Sequence, residues 1–157
     1  MRGKKPKANK DIKLTAGALD ALHDLAGDGW ETTQAAVASR ATATDWAEKL
    51  LQDFKLDHGQ SIATLLPYRE IYEGNKRKHL QRIREASGVA YCDMIFFDDY
   101  TENLGDVCQL GVMGVHTPRG LTHEHWEGGL RAYARLKAQD TSFMGRMFTL
   151  RDLREAD

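Results

Sequence analysis

The chain of 157 residues has the length of one domain, and its 41% hydrophobic and 29% charged residues allow a single buried core. A formal net charge of −1 produces no overall field that would attract nucleic acid or an anionic membrane. No stretch is long and apolar enough for a membrane span or a secretory signal. The sequence therefore predicts a cytoplasmic monomer without nucleic-acid or membrane partners.

The basic residues are unevenly distributed along the chain. Five of the 22 lie within residues 1–10, which contain no acidic residue. Short polar segments of one charge sign are typical of disordered tails. We therefore predict a disordered tail at residues 1–10. Residues 11–157 are predicted to form one domain, because no repeat, low-complexity block or linker divides them.

Apolar periodicity predicts an alternation of helices and strands after this tail. The predicted helices cover residues 15–26, 44–54, 76–86, 101–110 and 122–137. The predicted strands cover residues 34–39, 62–71, 94–97 and 112–116. The run 94–97 is continuously apolar, as a strand requires when helices cover both faces of its sheet. The fold class is therefore α/β: a three-layer α/β/α sandwich around a parallel sheet, with residues 36–38 and 94–97 buried.

Polar side chains stand where three of these elements meet one edge of the predicted sheet. Ser39 and Arg40 close the first strand, Lys76 opens the third helix, and Asp98 and Asp99 close the most apolar strand. Because parallel strands present their carboxyl ends to one edge, we expect these side chains to share a cleft. A hydroxyl, two cations and two carboxylates can together hold a phosphoryl group and Mg²⁺. Taken singly, each could instead be a strand-end hydroxyl, a solvated charge or a helix cap.

Three segments carry a family resemblance. Residues 36–40 (Ala-Val-Ala-Ser-Arg), 69–76 and 94–99 (Met-Ile-Phe-Phe-Asp-Asp), followed by Asn103, resemble the magnesium-dependent phosphatase group of the haloacid dehalogenase-like (HAD) superfamily. The resemblance implies a Rossmann-like sheet and hydrolysis of phosphomonoesters through an aspartyl-phosphate. It also implies an acid phosphatase or a protein-tyrosine-phosphatase-like enzyme, with Mg²⁺ as cofactor and a small phosphorylated metabolite or phosphotyrosine as substrate.

The resemblance also implies a role for each site residue. Ser39 would hydrogen-bond a phosphoryl oxygen, and Arg40 would assist in binding the substrate. Lys76 would be both a catalytic and a substrate-binding residue, because it would neutralise charge on the phosphoryl group. Asp99 would hold Mg²⁺ with Asp98 beside it. These roles agree with the chemistry of the side chains.

The first motif of that family has no match in this sequence. In the family, an apolar strand ending in Asp-x-Asp-x-Thr supplies the nucleophile and forms the centre of the sheet. Residues 1–14 contain no such pattern, so we expect a gap in the sheet and a chain that is truncated or degenerate. Two functions remain open: a phosphatase whose nucleophile this chain does not encode, and a non-catalytic domain that binds phosphate or a protein partner.

A cluster of histidines offers one competing site. His116, His123 and His125 lie within ten residues, and Glu124 or Glu127 could complete a tetrahedral zinc site. The alternative is that they are ordinary histidines at a helix start and on the surface, which we favour because no fourth ligand is obvious.

Overall fold

Helices and strands alternate along residues 5–139 and 142–156, which the computed structural model describes. The helices are α1 (Ala16–Ala26), α2 (Thr44–Asp53), α3 (Lys76–Ser87), α4 (Thr101–Cys108), α5 (His123–Ala138) and α6 (Leu150–Glu155). The strands are β1 (Ala36–Ser39), β2 (Tyr68–Ile71), β3 (Ile95–Asp98), β4 (Met113–His116) and β5 (Met147–Phe148). This order confirms the predicted α/β class.

Local side-chain chemistry fixes where the helices near the site begin and end. Asn75 caps α3 by accepting a hydrogen bond from the Arg77 amide at 2.8 Å, so the helix begins at Lys76 as predicted. Gly88 ends α3 with a φ of 73°, a backbone conformation that glycine adopts without a steric cost. Thr15 caps α1 in the predicted way, by accepting from the Ala18 amide at 3.3 Å.

The strands form two sheets in which every described pairing is parallel. In the first sheet β1 pairs with β2, with Ser39 opposite Ile71. In the second, β4 lies between β3 and β5. Within the described residues, no strand pairs with the outer edge of β1 or of β3. The two sheets leave a break between β1 and β3, and the sequence predicted a gap in the sheet.

A lysine bridges this break at its carboxyl end. The Ser39 carbonyl accepts from the Tyr72 amide at 3.0 Å and therefore points towards β2. Successive carbonyls of a strand point to opposite sides, so the Ala38 carbonyl points to the open edge of β1. The Lys76 Nζ donates to that carbonyl and lies 3.5 Å from Asp98 Oδ2 at the end of β3.

Helices cover both faces of the strands. Phe96 of β3 packs on one face, against a cluster that contains Leu80 of α3 and Val107 of α4. Phe97 packs on the opposite face, against a cluster that contains Val115 of β4 and Leu136 of α5. The alternation of neighbouring side chains confirms helices on both sides of β3. Among the described helices, none is long and apolar enough to cross a membrane.

A third core cluster lies beneath α1 and α2. Its buried part consists of Leu22, Phe54, Leu56 and Ile62. Ala8 and Ile12 pack against it, and residues 7–12 form a turn closed by hydrogen bonds to the Lys7 carbonyl. The predicted disordered tail therefore includes residues with defined contacts, whereas residues 1–4 lie outside the described part. The predicted division of the chain at residue 10 stays a prediction.

Three predictions about the elements were wrong. Residues 62–71 are not one strand: a 3₁₀ helix (Ile62–Leu65) precedes Pro67, which cannot donate to a sheet, and only Tyr68–Ile71 is extended. The strand β5 and the helix α6 were not predicted, because both are too short to show a period.

The third error concerns burial of the two strands. Ala36 is exposed, and residues 37–38 and 94–97 are only partly buried. The prediction assumed one continuous sheet, in which both edges of these strands would be covered. Because β1 and β3 each keep an open edge, solvent reaches them from the break.

Candidate functional site

An open pocket of ≈ 660 Å³ lies where the carboxyl ends of β1 and β3 face each other across the break. Its lining contains all five residues that the sequence singled out, together with two small residues and two residues from the start of α4. The lining residues are Ala38, Ser39, Arg40, Ala41, Lys76, Asp98, Asp99, Tyr100 and Asn103. The structure therefore brings the predicted residues together, although 59 positions separate Ser39 from Asp98.

Lys76 is the most deeply buried charge of the pocket. It is 4% exposed, and its Nζ lies 5.5 Å from the centre of the Phe96 ring. Burial lowers the pKa of Lys76, and nearby Arg40 lowers it further, while the Asp98 carboxylate opposes both effects. Asp98 thus compensates part of the cost of keeping a cation inside the protein.

Hydrogen-bond donors surround the Asp98 carboxylate. Its Oδ1 accepts from the Tyr100 amide at 2.8 Å and from Asn103 Nδ2 at 3.1 Å. Its Oδ2 accepts from Asn103 at 3.3 Å and lies 3.5 Å from Lys76 Nζ. These contacts fix the orientation of the carboxylate. Asp99 differs, since it is exposed and its backbone carbonyl lies 3.1 Å from His116 Nε2.

Ser39 and Arg40 form the opposite wall of the pocket. The Ser39 hydroxyl oxygen accepts from the Ala41 amide at 3.2 Å, so the chain turns tightly after β1 and the hydroxyl keeps a hydrogen to donate. The Arg40 side chain is exposed. One wall therefore offers a hydroxyl and a guanidinium, and the other offers two carboxylates, with Lys76 between them.

This division of charge suits two kinds of ligand at once. An oxyanion on the Ser39 wall could take hydrogen bonds from the hydroxyl, the guanidinium and the ammonium. Carboxylate oxygens are the ligands that a hard divalent cation prefers. The pocket therefore presents groups suited to an anion and groups suited to a cation side by side.

Two residues near the pocket were not predicted from the sequence. Tyr100 lies on its rim and is 60% exposed, and a single tyrosine after Asp98-Asp99 carries no pattern that marks it. His79 is completely buried beneath the pocket, one turn of α3 beyond Lys76. The spacing of three residues between Lys76 and His79 puts both on one helix face and could have indicated it.

The structure rules out the zinc alternative within the residues it describes. His116, His123 and His125 take separate partners: the Asp99 carbonyl, the Asp20 carboxylate and the Thr122 hydroxyl. In residues 5–139 and 142–156, no three His, Cys, Asp or Glu side chains come together as a metal site. His125 instead caps the start of α5, and His123 joins α5 to Asp20 of α1.

Parallel strands flanked by helices, with polar residues at their carboxyl ends, define a Rossmann-like protein of the HAD type. A sequence profile of the Acid Phosphatase family matches residues 5–136, and the chain belongs to this family. The matched range contains every residue of the pocket. Membership confirms the resemblance carried by the three segments of the sequence.

Two curated relatives share part of their length with this chain. Human magnesium-dependent phosphatase 1 is 32% identical over 126 residues, which cover 80% of this chain and 66% of the relative. A HAD-like hydrolase superfamily protein from Schizosaccharomyces pombe is 34% identical over 79 residues, or 48% of this chain and 45% of the relative. The chain thus spans about two thirds of the first relative and less than half of the second.

Replacing Lys76 with methionine tests whether this lysine holds the two sheets together. The change keeps most of the apolar stem but leaves the Ala38 carbonyl and the Asp98 carboxylate without their shared donor. We expect Lys76→Met to lower the free energy of unfolding by about 2 kcal/mol, measured by urea denaturation. Lys78→Met, at an exposed position of the same helix, is the control and should change it by less than about 0.5 kcal/mol. Equal effects of both variants would contradict the bridging role.

Acid should destabilise the fold through His125. Its Nδ1 accepts hydrogen bonds from the Thr122 amide at 3.3 Å and the Thr122 hydroxyl at 2.7 Å, and its buried Nε2 has no hydrogen-bond partner. Burial lowers the pKa of His125 below 6.5, so the fold favours the neutral ring. The associated stability is complete above pH 6.5 and is lost as the pH falls through the pKa of the folded state.

The variant His125→Gln keeps an acceptor for Thr122 and does not titrate. We expect the unfolding free energy of the unaltered chain to fall more steeply between pH 7 and 5 than that of His125→Gln. The difference in slope should reach at most about 1.4 kcal/mol per pH unit, the value for one proton. The Asp20 hydrogen bond raises the pKa of His123, an effect of opposite sign that both proteins share. Identical slopes in the two proteins would show that His125 is not the titrating group.

Proposed function

We propose that this chain carries the substrate-binding and metal-binding part of a magnesium-dependent phosphomonoester hydrolase. The observation that carries the proposal is the convergence of Ser39, Arg40, Lys76, Asp98 and Asp99 on one pocket. The substrate would be a small phosphorylated metabolite or phosphotyrosine. Family membership and the name of the human relative, magnesium-dependent phosphatase 1, support hydrolysis of phosphate esters.

The wall formed by Ser39 and Arg40, called here the anion-binding wall, would hold the phosphoryl group. Ser39 would donate its hydroxyl hydrogen to one phosphoryl oxygen, and Arg40 would bind the group from the solvent side. Lys76 would neutralise the charge that develops during transfer, and electrostatic stabilisation of this kind is commonly the largest single contribution to catalysis. Its burial strengthens that interaction, because water does not screen it.

The two carboxylates are the type of ligand that magnesium prefers, but two protein ligands are few for this ion. Asp99 is exposed and could bind the ion, with Asp98 beside it, but donors already surround the Asp98 oxygens. Bound Mg²⁺ would neutralise phosphoryl oxygen charge. Two carboxylates without further protein ligands would hold the ion weakly, with a dissociation constant in roughly the millimolar range.

The nucleophile is the part of the reaction that this sequence does not supply. The resemblance places it on a central strand ending in Asp-x-Asp-x-Thr, and the open edges of β1 and β3 leave a break at that place in the sheet. We propose that hydrolysis requires such a strand between them. It would bring a carboxylate towards the phosphoryl group that Ser39 and Lys76 hold.

Hydrolysis of an aryl phosphate tests this proposal. We expect the chain of 157 residues to show no magnesium-dependent activity, since loss of a nucleophile costs several orders of magnitude in rate. Adding an N-terminal apolar strand with Asp-x-Asp-x-Thr should bring the activity about. In that extended protein Lys76→Ala should abolish most of it, whereas Lys78→Ala should not.

The second candidate function is a non-catalytic domain that binds phosphate or a protein partner. The hydrogen-bond donors around the Asp98 carboxylate favour this function, because they compete with a metal ion for its oxygens. Phosphate binding without hydrolysis in the extended protein would support this function over the enzyme. Activity of the chain as it stands, lost on Asp99→Asn, would show instead that another residue is the nucleophile. A monomeric, cytoplasmic protein remains part of the proposal, and light scattering tests the monomer.

A further inference from the structure

We propose that His79 is a positioning residue of the pocket: its imidazole carries a hydrogen on both nitrogens and holds the backbone of Ser39 against α3. This inference rests on the proposed function for its purpose but not for its geometry. His79 is completely buried, and no motif in the sequence accounts for it. Its role has to be read from the atoms around the ring.

Both ring nitrogens face carbonyl oxygens. Nδ1 lies 3.0 Å from the Asn75 carbonyl, one turn earlier in α3. Nε2 lies 2.9 Å from the Tyr72 carbonyl and 3.0 Å from the Ser39 carbonyl. A carbonyl oxygen only accepts hydrogen bonds, so each nitrogen must donate. A nitrogen without a hydrogen at these distances would set its lone pair against the oxygen lone pairs.

The surroundings also stabilise a charged ring. The Tyr72 side chain stacks on it, with ring centres 4.2 Å apart and planes 13° from parallel. An aromatic face attracts a cation, and three carbonyl dipoles point at the N–H groups. The neighbouring charges are Lys76 on the same helix and Lys78, whose Nζ lies over the Tyr72 ring. Both are cations and oppose a positive charge on the ring, so the three carbonyl acceptors have to outweigh them.

These contacts join three segments that lie around Ser39 and Lys76. The Ser39 carbonyl belongs to the end of β1, Tyr72 follows β2, and Asn75 caps α3 directly before Lys76. Because one ring contacts a carbonyl of each segment, it fixes the position of the Ser39 hydroxyl relative to the Lys76 ammonium. The ring contacts the backbone of Ser39 but does not itself line the pocket, so its effect on a bound anion is indirect.

Ring protonation can be measured without any substitution. Nitrogen-15 NMR of the histidine side chains should show hydrogens on both nitrogens of His79. His125 is the internal control, because its Nδ1 accepts two hydrogen bonds and should carry none. A His79 ring with one bare nitrogen in the folded chain would overturn the proposal.

Two substitutions separate positioning from packing. Glutamine places its amide nitrogen as many bonds from Cα as Nε2, and asparagine places its own as many as Nδ1. His79→Gln should keep the hydrogen bonds to Ser39 and Tyr72, whereas His79→Asn should lose them. We expect the amide shifts of Ser39 and Arg40 to move in His79→Asn but not in His79→Gln. Inorganic orthovanadate should bind about three- to tenfold more weakly to His79→Asn, and within about twofold of the unaltered chain to His79→Gln.

The outcomes distinguish this inference from the proposed function. Equal changes in the Ser39 and Arg40 shifts in both variants would reduce His79 to a packing residue and overturn the inference. If the unaltered chain binds no orthovanadate, the proposed function fails, while ring protonation and the Ser39 shifts still decide the role of His79. If either variant is too unstable to study, the nitrogen-15 spectrum of the unaltered chain still supports or overturns the inference.

Discussion

The structure near the pocket depends on one buried ammonium group. Lys76 Nζ donates to the Ala38 carbonyl at the open edge of β1 and faces Asp98 at the end of β3. These two strands belong to different sheets, with no described strand between them. A single cation therefore bridges the two sheets at the carboxyl ends of β1 and β3. In a continuous sheet, backbone hydrogen bonds would join the strands at this place. Burying a charge costs free energy, and the protein offsets that cost with a carboxylate and a carbonyl.

The same arrangement explains why cationic and anionic groups lie on opposite walls of the pocket. Asp98 lies against Lys76, and the Tyr100 amide and the Asn103 side chain hold its carboxylate in place. On the other side, His79 and the turn after β1 fix the backbone that carries Ser39. The pocket is thus built from groups that are positioned before any ligand arrives. Pre-positioned charges bind a phosphoryl group without the cost of rearranging the site.

Much of the site followed from the sequence, because residue type and position on the sheet determine it together. The continuous apolar run at 94–97 indicated a strand, and the rule that parallel strands share a carboxyl edge placed Asp98 near Ser39. What the sequence could not show depends on long-range contacts. The role of His79 requires three carbonyls from separate segments, and no local pattern encodes their meeting. The exposure of Ala36 likewise follows from a missing neighbour rather than from its own chemistry.

The central proposal is that the residues around Lys76 form a binding site for a phosphoryl group. An NMR titration of the chain with inorganic phosphate tests this most directly. We expect saturable shifts at the Ser39, Arg40 and Asp99 amides and at the Lys76 side chain, with no comparable change near His123, which contacts Asp20 of α1. Shifts that do not saturate, or that spread evenly over basic residues along the chain, would contradict a phosphoryl site around Lys76.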